Sequence, residues 1–135
     1  QLAALQAECR RVYVDPSLLQ YAVRLVAATR APAQYGLPEL APRIACGASP
    51  RATIHIAEGA RALAMLRGRG YVLPEDMADI APDVLRHRIA LSYEALAEGL
   101  DADALIARLM AHLPEPARPL HHGADEAAAA EARRA

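Results

Sequence analysis

Gly47-Ala48-Ser49-Pro50-Arg51-Ala52 marks where a helix begins and sets an arginine at its mouth. Ser49 is a good N-cap, because its hydroxyl accepts a bond from an orphan amide in the first turn. Pro50 then takes the first helical position, where a missing N–H costs nothing. Arg51 follows in the first turn, where the helix dipole disfavours a cation. An arginine placed against the dipole points to an anionic partner. Helix N-termini hold phosphate through free amides, and arginine holds it with a planar fork of donors. Arg51 is therefore a candidate phosphate contact. The alternative on spacing alone is a surface arginine bonded to a nearby Asp or Glu.

Outward from this stretch the chain reads as helical. Asp15-Pro16 is a second start signal, and its helix runs to about Arg30, with Leu19, Ala22, Val23 and Val26 forming an apolar stripe that Leu18 and Leu25 widen. Leu2 to about Val12 predicts a short helix with Leu2, Leu5, Cys9 and Val12 on one side. Residues 32 to 48 carry Pro32, Gly36, Pro38, Pro42 and Gly47, which predicts a long connection with no helix. In the helix from Pro50 to about Arg67, Ala52, Ile56, Ala60, Leu63 and Arg67 step along one side, with Gly59 and Leu66 beside them. Arg51, His55 and Glu58 lie on a stripe of different character. Gly59 in its middle costs up to ~1 kcal/mol against alanine and predicts a close helix crossing.

Gly68 and Gly70 end that helix, and Tyr71-Val72 predict a brief extended piece. Pro74-Glu75-Asp76 opens a short helix whose acids suit the dipole. Leu73 at its cap position is a poor choice, weakening the start by ~0.5–2 kcal/mol. Ala81-Pro82-Asp83 predicts a separate helix start. Asp101 caps a last helix through Leu113, and the residues from Pro114 on predict a disordered or frayed tail.

The chain has 135 residues and 54% hydrophobic residues, with no Phe and no Trp. Alanine with Leu, Arg and Glu favours helix, and strand-type runs are nearly absent, so the class is all-α. A net charge of −1 argues against a general nucleic-acid binder. Arg10-Arg11 and Arg86-His87-Arg88 are local clusters, each most simply a solvated face. No apolar run is long enough to span a bilayer and no signal-peptide pattern opens the chain. The first residue is Gln1, which predicts a piece of a longer protein. Cys9 and Cys46 lack zinc spacing and read as buried or half-buried thiols, with a disulfide left open. No Walker loop and no Ser-His-Asp or Cys-His set is present, so no catalytic activity is expected of this chain by itself.

Four stretches together resemble one family. They are Leu25-Val26-Ala27-Ala28-Thr29-Arg30, Gly47-Ala48-Ser49-Pro50-Arg51-Ala52, Gly68-Arg69-Gly70-Tyr71-Val72-Leu73-Pro74-Glu75-Asp76, and Val84-Leu85-Arg86-His87-Arg88-Ile89 with Ser92-Tyr93-Glu94-Ala95 following. Their order and spacing resemble the C-terminal helical lid of AAA+ ATPases of the MoxR family, over roughly residues 10 to 113. Gly70 and Leu73 depart from the pattern, which often has an acid and a threonine there.

The resemblance implies a small bundle of about four to six helices over residues 1–113 with a flexible tail over 114–135. It makes Arg51 the sensor-2 arginine, which reaches the γ-phosphate of ATP bound in a preceding core domain. Gly47, Ala48, Ser49 and Pro50 complete the nucleotide-binding stretch. ATP and Mg²⁺ would be held mainly by that core, along with the P-loop, the metal-binding acids and the arginine finger. The implied partners are the chain's own core domain, neighbouring subunits of a ring (a hexamer) and von Willebrand factor A-domain proteins. The implied work is chaperone-like remodelling in the cytoplasm. His55 and Glu58 are expected to pair with Arg51 or Arg61 when nucleotide is absent. For Arg86, His87 and Arg88 a packing and capping role stands level with a contact to a neighbouring subunit or nucleotide. Two rival readings are a free-standing helical interaction module and, less favoured, a DNA-binding helical domain around Arg86 to Arg88.

Overall fold

The computed structural model describes residues 1–117; the predicted tail lies mostly outside the described residues. The α-helices are α1 (Leu2–Arg11), α2 (Pro16–Arg30), α3 (Arg51–Leu66), α4 (Pro74–Leu85), α5 (Tyr93–Ala97) and α6 (Ala102–His112). Two strands, β1 (Ile44–Cys46) and β2 (Ala90–Leu91), form a small antiparallel ribbon. The all-α expectation holds apart from that ribbon.

α2 is the central rod. Asp15 caps it, accepting from the Ser17 amide at 2.8 Å and the Ser17 hydroxyl at 2.6 Å. Its buried stripe is Leu18, Tyr21, Ala22, Leu25, Val26 and Thr29. Leu19 and Val23, expected inside, are 36% and 53% exposed. A stripe turned by one residue buries the Tyr21 ring, and α2 packs on α3, α4 and α6 along that side. Of the predicted apolar side of α1 only the far end goes inside: Val12 is buried and Cys9 half-buried, but Leu2 is 71% and Leu5 55% exposed. α1 lies at the bundle's edge, against α3.

Residues 32 to 48 are more ordered than their prolines predict. They form 3₁₀ turns at Pro32–Tyr35 and Pro38–Arg43 and then β1. Each turn begins with a proline, whose fixed φ suits a helical start and whose absent N–H is not missed there. Leu37 and Leu40 fix the segment to the core, and β1 pairs with β2 through Ile44–Leu91 and Cys46–Ala90. Arg43 adds an ion pair to Glu98 at 2.9 Å. Cys9 is half-buried, whereas Cys46 is exposed, against expectation; both thiols are free.

α3 and α4 cross closely at Gly59. A β-carbon built on Gly59 would lie 2.6 Å from Ile80 Cγ1, so glycine is what lets the helices approach. α3 then ends in a Schellman turn. Gly68 sits at φ 76°, the Arg69 amide donates to Ala64 O, and the Gly68 amide donates to Met65 O. The extended piece at Tyr71-Val72 pairs with Tyr13 as an isolated parallel bridge.

Asp76 corrects the reading of the α4 start. It is fully buried and is the centre of an ion network rather than a mere dipole partner. Its carboxylate accepts from Arg69 Nη1 and Nη2 at 2.7 and 2.6 Å and from Arg67 Nη1 at 2.7 Å. It also accepts from the Leu73 amide at 2.8 Å. The N3 carboxylate thus reaches back to cap the helix, and the poor N-cap residue is compensated. Burial pushes the Asp76 carboxyl up. Bonds from Arg69, the Leu73 amide and Arg67 outweigh this and hold its pKa below the usual carboxylate range.

Pro82 does not start a new helix. α4 runs through it to Leu85, because Met77, Ala81 and Leu85 are all buried in the core. That burial outweighs the ~3 kcal/mol cost of an internal proline. α6 starts as predicted, with Asp101 Oδ1 accepting from the Ala104 amide, and the short α5, which the sequence reading did not separate, is capped by Ser92 Oγ accepting from the Ala95 amide.

Candidate functional site

The site is built at the end of α2. Val26, Thr29 and Ala22 share the buried side of that helix, so Thr29 brings a hydroxyl into an apolar row. The hydroxyl donates to Val26 O at 2.7 Å. Its oxygen then accepts from the Ala48 amide at 2.9 Å. Arg30 Nη1 makes a long contact, 3.4 Å, with the Ala48 carbonyl. Both backbone groups of Ala48 are thereby tied to the last turn of α2, and Ala48 itself is buried.

Gly47 packs directly on this turn. A β-carbon there would lie 2.4 Å from Thr29 O and 2.8 Å from Arg30 Cα. Its φ is not positive, so what glycine supplies here is space. The strand β1 leads into Gly47, and a cleft of about 190 Å³ lies beside it. Thr29 to Ala33, Ala41, Ile44, Ala45 and Gly47 line that cleft.

Ser49, Pro50 and Arg51 are exposed. Pro50 has helical dihedrals (φ −52°, ψ −25°), and the regular helix is counted from Arg51, one residue later than predicted. Ser49 Oγ accepts from the Arg51 amide at 3.3 Å, and Ser49 O and Pro50 O accept from the Ala52 and Thr53 amides. These first-turn amides are already satisfied. The helix mouth thus lacks the free amides that the phosphate reading assumed, and the guanidinium is the group left to meet an anion.

Among the described residues the Arg51 guanidinium makes no hydrogen bond or ion pair within the chain. His55 and Glu58 are exposed on α3, and neither pairs with Arg51 or Arg61 there, contrary to expectation. Nor does Arg51 pair with any carboxylate among the described residues, which was the alternative reading. A cation unpartnered at the positive end of a helix, on a stem fixed by α2, can bind an anion brought to it from outside.

The late arginine cluster lies elsewhere. Arg86 joins Asp83 at 2.9 Å and Asp103 at 2.7 Å, clipping the end of α4 to the start of α6. Arg88 Nη1 donates to Val84 O at 3.0 Å, closing the last turn of α4. Both are packing and capping contacts. No group of His, Cys, Asp and Glu among the described residues could hold a metal ion. No helix among them is long and apolar enough to cross a membrane. The sequence reading missed the role of Thr29 and Arg30. Its one available signal was a threonine on the buried side of an amphipathic helix.

Comparison with known proteins agrees with this geometry. Residues 39–109 match the AAA lid domain family, a span that takes in the Gly47–Arg51 stretch, α3 and the Asp76 network. Chaperone MoxR1 of Mycobacterium tuberculosis is 44% identical over 109 residues, covering 81% of this chain and 29% of that protein. Protein MoxR of Paracoccus denitrificans is 40% identical over 111 residues, covering 78% of this chain and 32% of that protein. A crystal structure of a Cytophaga hutchinsonii protein assigned as an ATPase superposes with a TM-score of 0.79 at 42% identity, covering 82% of this chain and 34% of that one. The chain thus spans about a third of the length of the relatives it matches. With the bundle, the glycine-tight loop and the sequence matches in agreement, this chain belongs to the AAA lid domain family, as a helical lid of the MoxR family of AAA+ ATPases.

Proposed function

We propose that Arg51 is the sensor-2 arginine of this lid, and that in the full-length protein it meets the γ-phosphate of ATP held by a core domain. One observation carries the reading: an exposed guanidinium without a partner among the described residues, at the mouth of α3. A guanidinium beside a transferring phosphoryl group stabilises the charge that develops as the bond breaks. The contact exists only while the γ-phosphate does, so its loss on hydrolysis releases the lid. Ser49 and Pro50 aim the residue by setting the start of α3. Gly47 and Ala48 belong to the same nucleotide-binding stretch as its support. Ala48 is buried, with both backbone groups engaged, so its part is to hold the loop rather than to touch the ligand.

Mg²⁺ would arrive with the nucleotide and take its protein ligands from the core. On this reading the full-length protein is a cytoplasmic ATPase that assembles as a ring, a hexamer, and remodels other proteins, with von Willebrand factor A-domain proteins among its partners. The family match favours a lid over a free-standing module.

The test is Arg51→Ala in the full-length protein, with steady-state ATP hydrolysis as the readout. A drop of about 10²–10³-fold, with far-UV circular dichroism unchanged, is expected for the loss of one charge-stabilising donor. Turnover at the unmodified rate would overturn the assignment.

A further inference from the structure

We propose that Thr29, in the last turn of α2, is a positioning residue for Arg51. The proposal rests on the reading of Arg51 above. Thr29 is completely buried, and its hydroxyl is engaged on both sides: it donates to Val26 O at 2.7 Å and accepts from the Ala48 amide at 2.9 Å. Helix-end threonines commonly return a bond to their own backbone, and that bond alone would serve α2. The second bond serves a different element, nineteen residues on along the chain. Ala48 stands three residues before Arg51, so the hydroxyl sets the height at which the chain enters α3.

Two further contacts bear on the same point. Arg30 holds the Ala48 carbonyl from the solvent side. Gly47 lies so close to the Thr29 carbonyl that a β-carbon would come within 2.4 Å of it. α2 and the loop are therefore fitted together on three faces around one residue. Because α2 packs on α3, α4 and α6, this latch ties the Arg51 stem to the body of the bundle. Force from a phosphate contact at Arg51 passes through Ala48 into α2 and turns the lid as a unit. Without the hydroxyl, α3 keeps its own packing through Ala52 and Ile56, but its first turn loses its fixed height. Misplacement of a catalytic group by about 1 Å is enough to cost as much as 10²-fold in rate.

The experiment compares Thr29→Val, Thr29→Ser, Arg51→Ala and the Thr29→Val/Arg51→Ala double variant in the full-length protein, reading kcat/KM for ATP. Thr29→Val is expected to lower it roughly tenfold in the parent. Thr29→Ser, which keeps the hydroxyl, is expected to stay within about twofold, and in the Arg51→Ala background Thr29→Val is expected to add less than about twofold. Amide exchange supplies a readout apart from activity: the Ala48 amide loses protection in Thr29→Val and keeps it in Thr29→Ser. A purely structural threonine would lower kcat/KM by the same factor in both backgrounds, and that result overturns the proposal. So does an Ala48 amide equally protected in Thr29→Val and the parent. If Thr29→Val does not fold, Arg30→Ala at its exposed position tests the carbonyl side of the latch. A loss of roughly twofold to fivefold that vanishes in the Arg51→Ala background supports the proposal; no loss, or an equal loss in both, overturns it. Full activity in Arg51→Ala itself is a separate outcome, because it removes the reading of Arg51 on which the latch depends.

Discussion

Replacing Asp76 by alanine removes the acceptor for four hydrogen bonds at once: two from Arg69, one from Arg67 and one from the Leu73 amide. Asp76 is fully buried, while the Arg67 and Arg69 side chains keep 40% and 20% of their exposure. Deleting one partner of a buried ion pair costs about 3–5 kcal/mol, mostly because the remaining charge is left without compensation. Here both guanidiniums can regain some water, so the cost falls toward the lower end of that range. The Leu73 amide also loses its cap, which weakens the start of α4. For a chain of this size the urea slope is about 1–1.5 kcal/mol per molar, so the unfolding midpoint should fall by roughly 2–3 M. Far-UV circular dichroism against urea measures this. A shift below about 0.5 M would refute the claim that this carboxylate joins the end of α3 to α4. The pH dependence follows from the same bonds. Because the native carboxyl is held below its ordinary value, its contribution is present above the unfolded-state pKa of about 4. It disappears as pH falls through the lowered native value. Asp76→Asn should flatten that acid limb of the stability curve.

Tyr21 should govern the alkaline limb. Burial, with the charge of Glu115 adding and that of Arg24 opposing, pushes its phenol up to about 12. Stability is then unaffected below the unfolded value near 10 and falls as pH rises from there toward about 12; Tyr21→Phe should remove that loss without lowering stability at neutral pH. The phenol oxygen is buried with no hydrogen-bond partner among the described residues, so the phenylalanine variant leaves no partner stranded. Gly59→Ala should lower stability by about 1 kcal/mol in thermal melts, as overpacking against Ile80 exceeds the gain in helix propensity, and Ile80→Val should recover part of it. Gly47→Ala should be worse, because its β-carbon meets the Thr29 and Arg30 backbone, which cannot step aside as a side chain can. A lower melting temperature together with reduced ATP turnover in the full-length protein is the expected result.

The helix starts were legible because capping is local chemistry. Asp15 and Asp101 each sit where their side chains accept from the first turn, and each was readable from a few neighbouring residues; the Ser92 cap of the short α5 was not read. Gly59 was legible for a similar reason: a glycine within a helical pattern needs a cause. The registers that depend on neighbours were not. Leu19 and Val23 fit the α2 period as well as Leu18 and Tyr21 do, and only the packing against α3, α4 and α6 decides between them. Pro82 shows the same limit, since three buried side chains outweigh one local breaker. Asp76 looked like a dipole partner because Arg67 and Arg69 precede it across a turn, and spacing along the chain does not say that the turn folds back. At the candidate site Arg51 was visible from its place after Ser49-Pro50. The Thr29–Ala48 bond was not, because it joins residues far apart in sequence.

The most direct trial of Arg51 is the affinity of the full-length protein for a non-hydrolysable ATP analogue and for ADP, each measured by calorimetry with and without Arg51→Ala. The account predicts a loss of roughly tenfold or more for the triphosphate and a change within about twofold for the diphosphate, since the guanidinium meets only the terminal phosphate. Equal losses for both nucleotides, or none for either, would contradict it.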